Sequence, residues 1–283
     1  MFVNAIRRVV PRAWRNALRN PMHSLRRVQA KARFALGDVD VVEPRPGWRV
    51  RCHPLCPELF SIFRSDSDQA AELEDFISYC RPGMKLIDVG AHWGLFTLAA
   101  LQFGAPKAQV LAVEASPEAA RVCRRNLELN QVGEVVTIIT AAAGAECGEL
   151  DMLTTGAGGA DYFVVPAEPR PDTTRVPQVT LSAICREHGL EPSHIKIDVE
   201  GLEQEVLEGA EEIIKQNKPI VCLELHGSII RSRGLDPRAV LSKLDHLGYR
   251  FTQSGHDVNV LDLEARAFNT RLVCLPNGNL LHS

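Results

Sequence analysis

Four apolar runs in this chain give way to acidic side chains at points where a helical pattern begins or the run turns. In "KLIDVGAHWGLFTLAALQF", which starts at Lys85, Asp88 is followed by Gly90 and Gly94. "QVLAVEA" carries Glu114 near its end. "HIKIDVEG" brings Asp198, with Glu200 and Gly201 just beyond, and "PIVCLELH" closes on Glu224 and His226. If these runs are strands of an open α/β sheet, all four deliver acids to the carboxyl edge, where such sheets bind ligands. That set suits two tasks: attracting a cationic ligand and removing a proton from a hydroxyl.

The first run can be read closely. Gly90 lets the backbone turn sharply, and Gly94 leaves the start of the next helix open to a ligand. A dinucleotide would put its pyrophosphate there, but the G-x-G-x-x-G spacing is absent, and Asp88 would repel phosphate. An ammonium and a sulfonium would instead be drawn in. Glu114 lies 20 residues after Gly94, where a carboxylate can accept hydrogen bonds from both hydroxyls of a ribose. A ribose, cationic groups and no phosphate describe S-adenosylmethionine, the expected cofactor. A D-x-G-x-x-x-G stretch can also be a plain glycine turn, and it is Glu114 that favours the binding site.

Lys196 and Asp198 are two residues apart on a strand and so face the same way. Asp198, Glu200 and His226 are, in that order, the candidates for accepting the proton of an alcohol, which is lost as a new bond forms at its oxygen. Glu200 equally suits the positive end of a helix dipole, and His226 is also readable as a structural histidine. The chemistry requires no metal, although Asp198, Glu224 and His226 could ligate one.

These groups need elements to hold them. "QAAELEDFISYC" has helical spacing, whereas residues 38–65, with several prolines, read as short strands or loops. From Lys85 onward, apolar runs alternate with helical patterns, which predicts a parallel sheet with helices on both faces. "TLSAICREHG" predicts a helix capped by Thr180, "EQEVLEGAEEIIKQ" one long helix, and "RFTQSG" and "TRLVCLP" an antiparallel pair. Residues 154–177, rich in Gly, Pro and Thr, read as a long loop. Such loops are functional or poorly ordered, and this one is expected to be a lid over the acceptor or else a surface insertion.

Across 283 residues the formal net charge is -3, a bulk value that suggests no nucleic-acid partner. The charge is unevenly spread. Up to Gly37 there are nine basic residues and no acid, and the rest of the chain holds 23 Lys and Arg against 35 Asp and Glu. Val3, Ile6, Val10, Trp14 and Leu18 could form the apolar face of a basic helix that touches an anionic membrane surface. A transit peptide or an ordinary solvated arm are the other readings. No run reaches the roughly 18 apolar residues of a membrane span. Eight cysteines without a C-x-x-C pair read as reduced thiols in a cytoplasmic protein. The expected division is a basic arm (1–37), an extension (38–77) and a catalytic domain (78–283).

"IDVGAHWGLFTLAA", "AVEASPEAARVCRRNLELN" and "IKIDVEGLEQEVLEGA" together resemble the FkbM family of S-adenosylmethionine-dependent methyltransferases, "KIDVEG" being the most specific element. The resemblance covers roughly residues 70–226. It implies a class I methyltransferase (Rossmann-like) fold, a seven-stranded, mostly parallel sheet with the last strand antiparallel. It further implies that Asp88, Gly90 and Gly94 line the methionine end of the cofactor and that Glu114 holds the ribose, with His92 a further cofactor-binding candidate. His92 stands where members often have Asn. The third strand ends in "TAAAGAECG", without an acid to read the adenine amino group. The resemblance also implies the acceptor, a hydroxyl on a sugar, a lipid-linked glycan or a secondary metabolite. The alternatives are an NAD-dependent oxidoreductase and a non-catalytic cofactor-binding protein on the same fold.

Overall fold

The computed structural model describes residues 21–154, 162–164, 173–260, 262–263 and 269–278. Helix α1 (Pro21–Ala35) leads into a hairpin of β1 (Asp40–Arg45) and β2 (Trp48–Cys52), followed by α2 (Pro57–Ser65) and α3 (Ser67–Ser78). Then come β3 (Lys85–Val89), α4 (Leu95–Phe103), β4 (Gln109–Val113), α5 (Pro117–Leu129) and β5 (Val136–Ile139). An inserted group follows: β6 (Ala142–Ala143), β7 (Gly148–Thr154), β8 (Tyr162–Val164) and β9 (Thr173–Val179). The chain continues through α6 (Leu181–His188), β10 (His194–Ile197), α7 (Glu203–Gly209), α8 (Glu211–Asn217) and β11 (Ile220–His226). It closes with α9 (Gly227–Ser232), α10 (Arg238–His246), β12 (Tyr249–Gln253), β13 (His256–Val258) and β14 (Asn269–Pro276).

The main sheet has the order β13-β12-β14-β11-β10-β3-β4-β5. Strands β11, β10, β3, β4 and β5 run parallel to their neighbours within that set, and β14 enters antiparallel to β11. The seven expected strands and the antiparallel last one are therefore present. The three residues of β13 add an eighth strand at the edge, paired antiparallel to β12. The predicted pair near the end is β12 with β14.

The sheet positions its acids because each central strand is covered on both faces. Leu86 of β3 and Val110 and Ala112 of β4 point into a core shared with β2, α2, α3, α4 and α5. Ile87, Val89, Leu111 and Val113 point the other way, into a core with α6, α7, α8 and α10. This period-2 alternation puts Asp88 on the α4 side, in register with Lys196 on β10. Side-chain caps fix several helix starts. Asp66 accepts from the N–H groups of Asp68 and Gln69, Ser116 from Ala119, and Thr180, as expected, from Ala183.

Three expectations change. "PELFSIFRS" forms the helix α2 rather than strands or loops, with Pro57 at its start, where the missing N–H costs nothing. The long helix predicted after Gly201 breaks at Ala210 into α7 and α8. The break lies beside a backbone crossing: a Cβ on Gly209 would stand 2.0 Å from the carbonyl oxygen of Gly144. The stretch 154–177 is not one loop. β9 pairs antiparallel with β7 from Gly148–Gln178 to Leu153–Thr173, and β8 pairs with the far end of β7. Residues 155–161 and 165–172, which carry Gly156, Gly158, Gly159, Pro166, Pro169 and Pro171 of the expected lid, lie outside the described residues.

The apolar face from Val3 to Leu18 also lies outside them. The later part of the basic arm, α1, docks on the acidic body. Arg27 and Lys31 both reach Glu118 in the first turn of α5, Arg26 pairs with Glu58, and Arg33 with Asp38 and Asp40. No described helix is long and apolar enough to cross a membrane.

Candidate functional site

A cavity of about 340 Å³ opens at the carboxyl ends of β3, β4, β10 and β11. Asp88, Gly90, His92, Glu114, Asp198, Glu200 and His226 all line it, so the fold brings together seven of the eight candidate cofactor-binding and catalytic residues. Gly94 is the exception.

Glu114 is the best-organised group. It is buried, and both carboxylate oxygens are held by backbone: Oε2 accepts from the His92 N–H at 2.8 Å and Oε1 from the Ser116 N–H at 2.7 Å. His92 presents its N–H from a left-handed backbone, φ 49°, with its ring stacked on Trp93 at 4.5 Å. Burial pushes the Glu114 carboxyl up to about 7, against the two N–H groups that pull it down. Asp88 lies at the cavity floor and accepts from the Thr97 hydroxyl at 2.6 Å. Its carboxyl is also raised by burial. Ala141, Ala142 and Ala143 supply small apolar walls beyond Glu114, in the segment that lacks an acid for the adenine.

Gly90 acts as the sequence predicts, whereas Gly94 does not line the cavity. Gly90 does make the turn, at φ 80°, but a Cβ there would lie 1.8 Å from the Asp198 carbonyl oxygen. Its bare α-carbon lets the ends of β3 and β10 approach. Gly94 does not clear a path for a ligand. Its φ is 85°, and a Cβ would meet Cys123 Sγ of α5 at 2.7 Å. Gly94→Ala is therefore expected to act through stability, since a left-handed backbone alone costs a non-glycine residue roughly 1–2 kcal/mol. Thermal denaturation checks this. Adding Cys123→Ala should recover part of the loss, and strict additivity of the two substitutions would contradict the packing explanation.

The second cluster surrounds His226. Its side chain is 9% exposed, and Nδ1 shares a 2.7 Å hydrogen bond with Oε1 of Glu203, which is wholly buried. Nε2 faces three carboxylates, Glu200 at 3.7 Å, Asp198 at 3.8 Å and Glu224 at 3.9 Å. Burial alone would push the imidazole down, but Glu203, then Glu200 and Asp198, outweigh it and raise it to about 9. Lys196 is buried, donates to Asp198 Oδ2 at 3.1 Å, lies 3.5 Å from Glu72 and sits 4.1 Å over the Phe96 ring. Burial raises the Asp198 carboxyl, yet Lys196 and His226 together hold it below the usual range. Arg271 of β14 bonds Glu224 at 2.6 Å and Glu72 at 2.8 Å. One ligand atom each from Asp198, Glu224 and His226 lie within 4.8 Å of one another, the spacing of a cation site. Both carboxylates already have a cationic partner, Lys196 for Asp198 and Arg271 for Glu224.

Sequence reasoning missed Glu203, Glu72 and Arg271. Glu72 enters from α3 and Arg271 from β14, and no local spacing announces either. Glu203 stands two residues after Gly201 and reads there as an ordinary acid in a first helical turn.

Comparison with known proteins bears on these two clusters. The family model described as the methyltransferase FkbM domain matches residues 88–251. The ribosomal protein L11 methyltransferase of Chloroflexus aurantiacus is 40% identical over 65 residues, 23% of this chain. The matched segment spans only 19% of that relative's length. Among solved structures, a methyltransferase FkbM of Methylobacillus flagellatus is similar with a TM-score of 0.45 and 15% identity, over 77% of this chain and 54% of the other. A Streptococcus pneumoniae protein, assigned provisionally as a tRNA (m1A22) methyltransferase, is similar with a TM-score of 0.41 and 14% identity, over 75% of this chain and 71% of the other.

The expectation that nucleic acid is not a partner is corrected here: the name of the Chloroflexus relative gives a component of the ribosome as its substrate. A net charge of -3 averages over the whole surface, whereas a macromolecule is recognised by local patches. The exclusion is withdrawn. The family match spans more than half of the chain and takes in Asp88, Glu114, Asp198, Glu200 and His226 of the cavity: the chain belongs to the FkbM methyltransferase family.

Proposed function

We propose that this methyltransferase uses S-adenosylmethionine and methylates a hydroxyl oxygen. The observation that carries the proposal is Glu114, whose carboxylate is fixed by two backbone N–H groups on the wall of a cavity that also holds Asp88 and the Asp198–His226 cluster. The donor set fits the cofactor: a preorganised carboxylate for ribose hydroxyls, further acids for an ammonium and a sulfonium, small apolar walls for an adenine, and no phosphate-binding glycine turn.

When bound, S-adenosylmethionine would supply a methyl carbon for in-line attack by an acceptor oxygen, with the sulfur leaving as the neutral thioether of S-adenosylhomocysteine. The chain's residues do the rest. Phe60, Phe63 and Phe96 line one side of the cavity and keep it poor in water. Asp198 holds the acceptor hydroxyl and takes its proton at Oδ1, the oxygen that faces His226, while Oδ2 is anchored by Lys196. Positioning of this kind supplies much of the acceleration of a bimolecular step, and a placed base typically adds 10²–10⁴-fold. Glu200 and His226 tune Asp198 and complete the acceptor wall. Hydroxyls are carried by sugars, glycan lipids and secondary metabolites and equally by the ribose of RNA, so the acceptor panel has to span them.

Binding titration with S-adenosylhomocysteine, the demethylated product, and with NAD⁺ tests the proposal. Saturable binding of the first without the second is expected, and the reverse would overturn it. The pH dependence is a further expectation. Glu114 accepts ribose hydroxyls as a carboxylate, and its carboxyl is raised to about 7. Affinity should therefore rise between pH 6 and pH 8, by up to about tenfold per unit below 7 and level above it. Glu114→Gln should flatten the profile over that range. An equally steep profile in the variant would assign the titration to another group.

A further inference from the structure

Glu203 lies outside the acid rim read from the sequence, yet it touches His226 more closely than any rim residue does. It is fully buried in the first turn of α7. Its Oε1 collects three N–H groups: Gly201 at 3.1 Å, the His226 backbone at 3.3 Å and the His226 ring at 2.7 Å. Its Oε2 is buried without a hydrogen-bond partner among the described residues. A buried carboxylate is costly to hold unless it is paired and hydrogen-bonded, and here every bond it makes goes to the turn after β10 or to His226.

We infer that Glu203 is the positioning residue of the acceptor site: it locks the His226 ring so that Nδ1 carries a proton and Nε2 faces Asp198 and Glu200. This rests on the proposed role of Asp198 as proton acceptor. The geometry is that of a carboxylate–imidazole pair, in which the hydrogen bond at one ring nitrogen fixes what the other presents. A ring flip would point a carbon at Asp198 and break the shortest contact that the ring makes with the surrounding acids. Glu203 also ties two strand ends together. The turn carrying Glu200, itself at φ 51°, is held through the Gly201 N–H, and the end of β11 through the His226 N–H. One carboxylate oxygen thus sets the spacing between the carboxylates of β10 and the imidazole of β11.

The charges around His226 make this testable. The groups that face it are Glu203 from α7, Asp198 and Glu200 from the end of β10, and Glu224 from β11. The nearby cations are Lys196 beside Asp198 and Arg271 beside Glu224. Of the four acids, only Glu203 is in hydrogen-bond contact with the ring. Glu203→Gln keeps the shape and the accepting oxygen but removes the charge. It should lower the His226 titration by about one pH unit or more, a tenfold change in the proton equilibrium.

The experiment is nuclear magnetic resonance of ¹⁵N-histidine-labelled full-length protein, wild type and Glu203→Gln, across pH 5–10. S-Adenosylhomocysteine binding is measured in parallel. In the wild type, the neutral His226 ring should carry its proton on Nδ1. The variant should titrate at lower pH, and once an acceptor is in hand its kcat profile should move by the same interval with KM unchanged. A neutral wild-type ring protonated on Nε2, or an unshifted titration in the variant, would overturn the inference. Glu203→Asp, which restores the charge on a shorter arm, should return the titration toward wild type, and failure to do so would also count against it. The ring readout needs neither an acceptor nor turnover, and the binding measurement reports separately on the cofactor. Failure of this inference is thus distinguishable from failure of the proposed function.

Discussion

Asp198→Asn is expected to lower kcat by 10²–10⁴-fold, the usual worth of a placed acid or base, while changing S-adenosylhomocysteine affinity only a few-fold. The substitution keeps the size of the side chain and one accepting oxygen for Lys196, so the strand end should hold its place. It removes the proton acceptor. The split between kcat and cofactor affinity follows from the layout of the cavity, with Glu114 at the end of β4 and Asp198 at the end of β10. The measurement is steady-state turnover with a thermal melt as control for folding. Wild-type turnover in a folded Asp198→Asn protein would remove Asp198 from the mechanism.

Glu114→Ala carries the second large effect. Hydrogen bonds to a charged group are worth about 1.5–3 kcal/mol each, and two ribose hydroxyls lose their acceptor together. The dissociation constant for S-adenosylhomocysteine should rise roughly a hundredfold or more, as read by calorimetry. The turn at His92 should also loosen, because its N–H donates to Glu114 Oε2. Glu114→Gln keeps an acceptor on one side and should fall between wild type and alanine. An unchanged dissociation constant in Glu114→Ala would place the ribose elsewhere.

Much of this architecture is legible in the sequence, for local reasons. "KLIDV", "QVLAV" and "HIKI" are short and rich in Leu, Ile and Val because both faces of each strand are covered, and Asp88, Glu114 and Asp198 mark the strand ends. Lys196 and Asp198 follow from strand periodicity alone, and the structure joins them at 3.1 Å. What stayed hidden depends on contacts between distant parts of the chain. The sheet of β6, β9, β7 and β8 takes its order from pairings such as Glu149 with Pro177, in a composition that otherwise signals a loop. Gly94 looks like a ligand-binding glycine until Cys123 arrives from α5 to fill the space where its Cβ would stand. Glu203 looks like a helix-dipole acid until α7 folds against the end of β11. The docking of α1 was hidden because its partner Glu118 also serves as a first-turn acid on α5.

The central claim is methyl transfer to an oxygen at the site where β3, β4, β10 and β11 end. Its most direct test combines S-adenosylmethionine labelled at the methyl group, cell extract and the full-length protein, with Asp198→Asn as the paired control. Mass spectrometry then locates the label. The account predicts a labelled product that depends on the wild-type protein, is nearly absent with Asp198→Asn, and carries the methyl on oxygen. Label on nitrogen or carbon, or equal labelling by the two proteins, would contradict it.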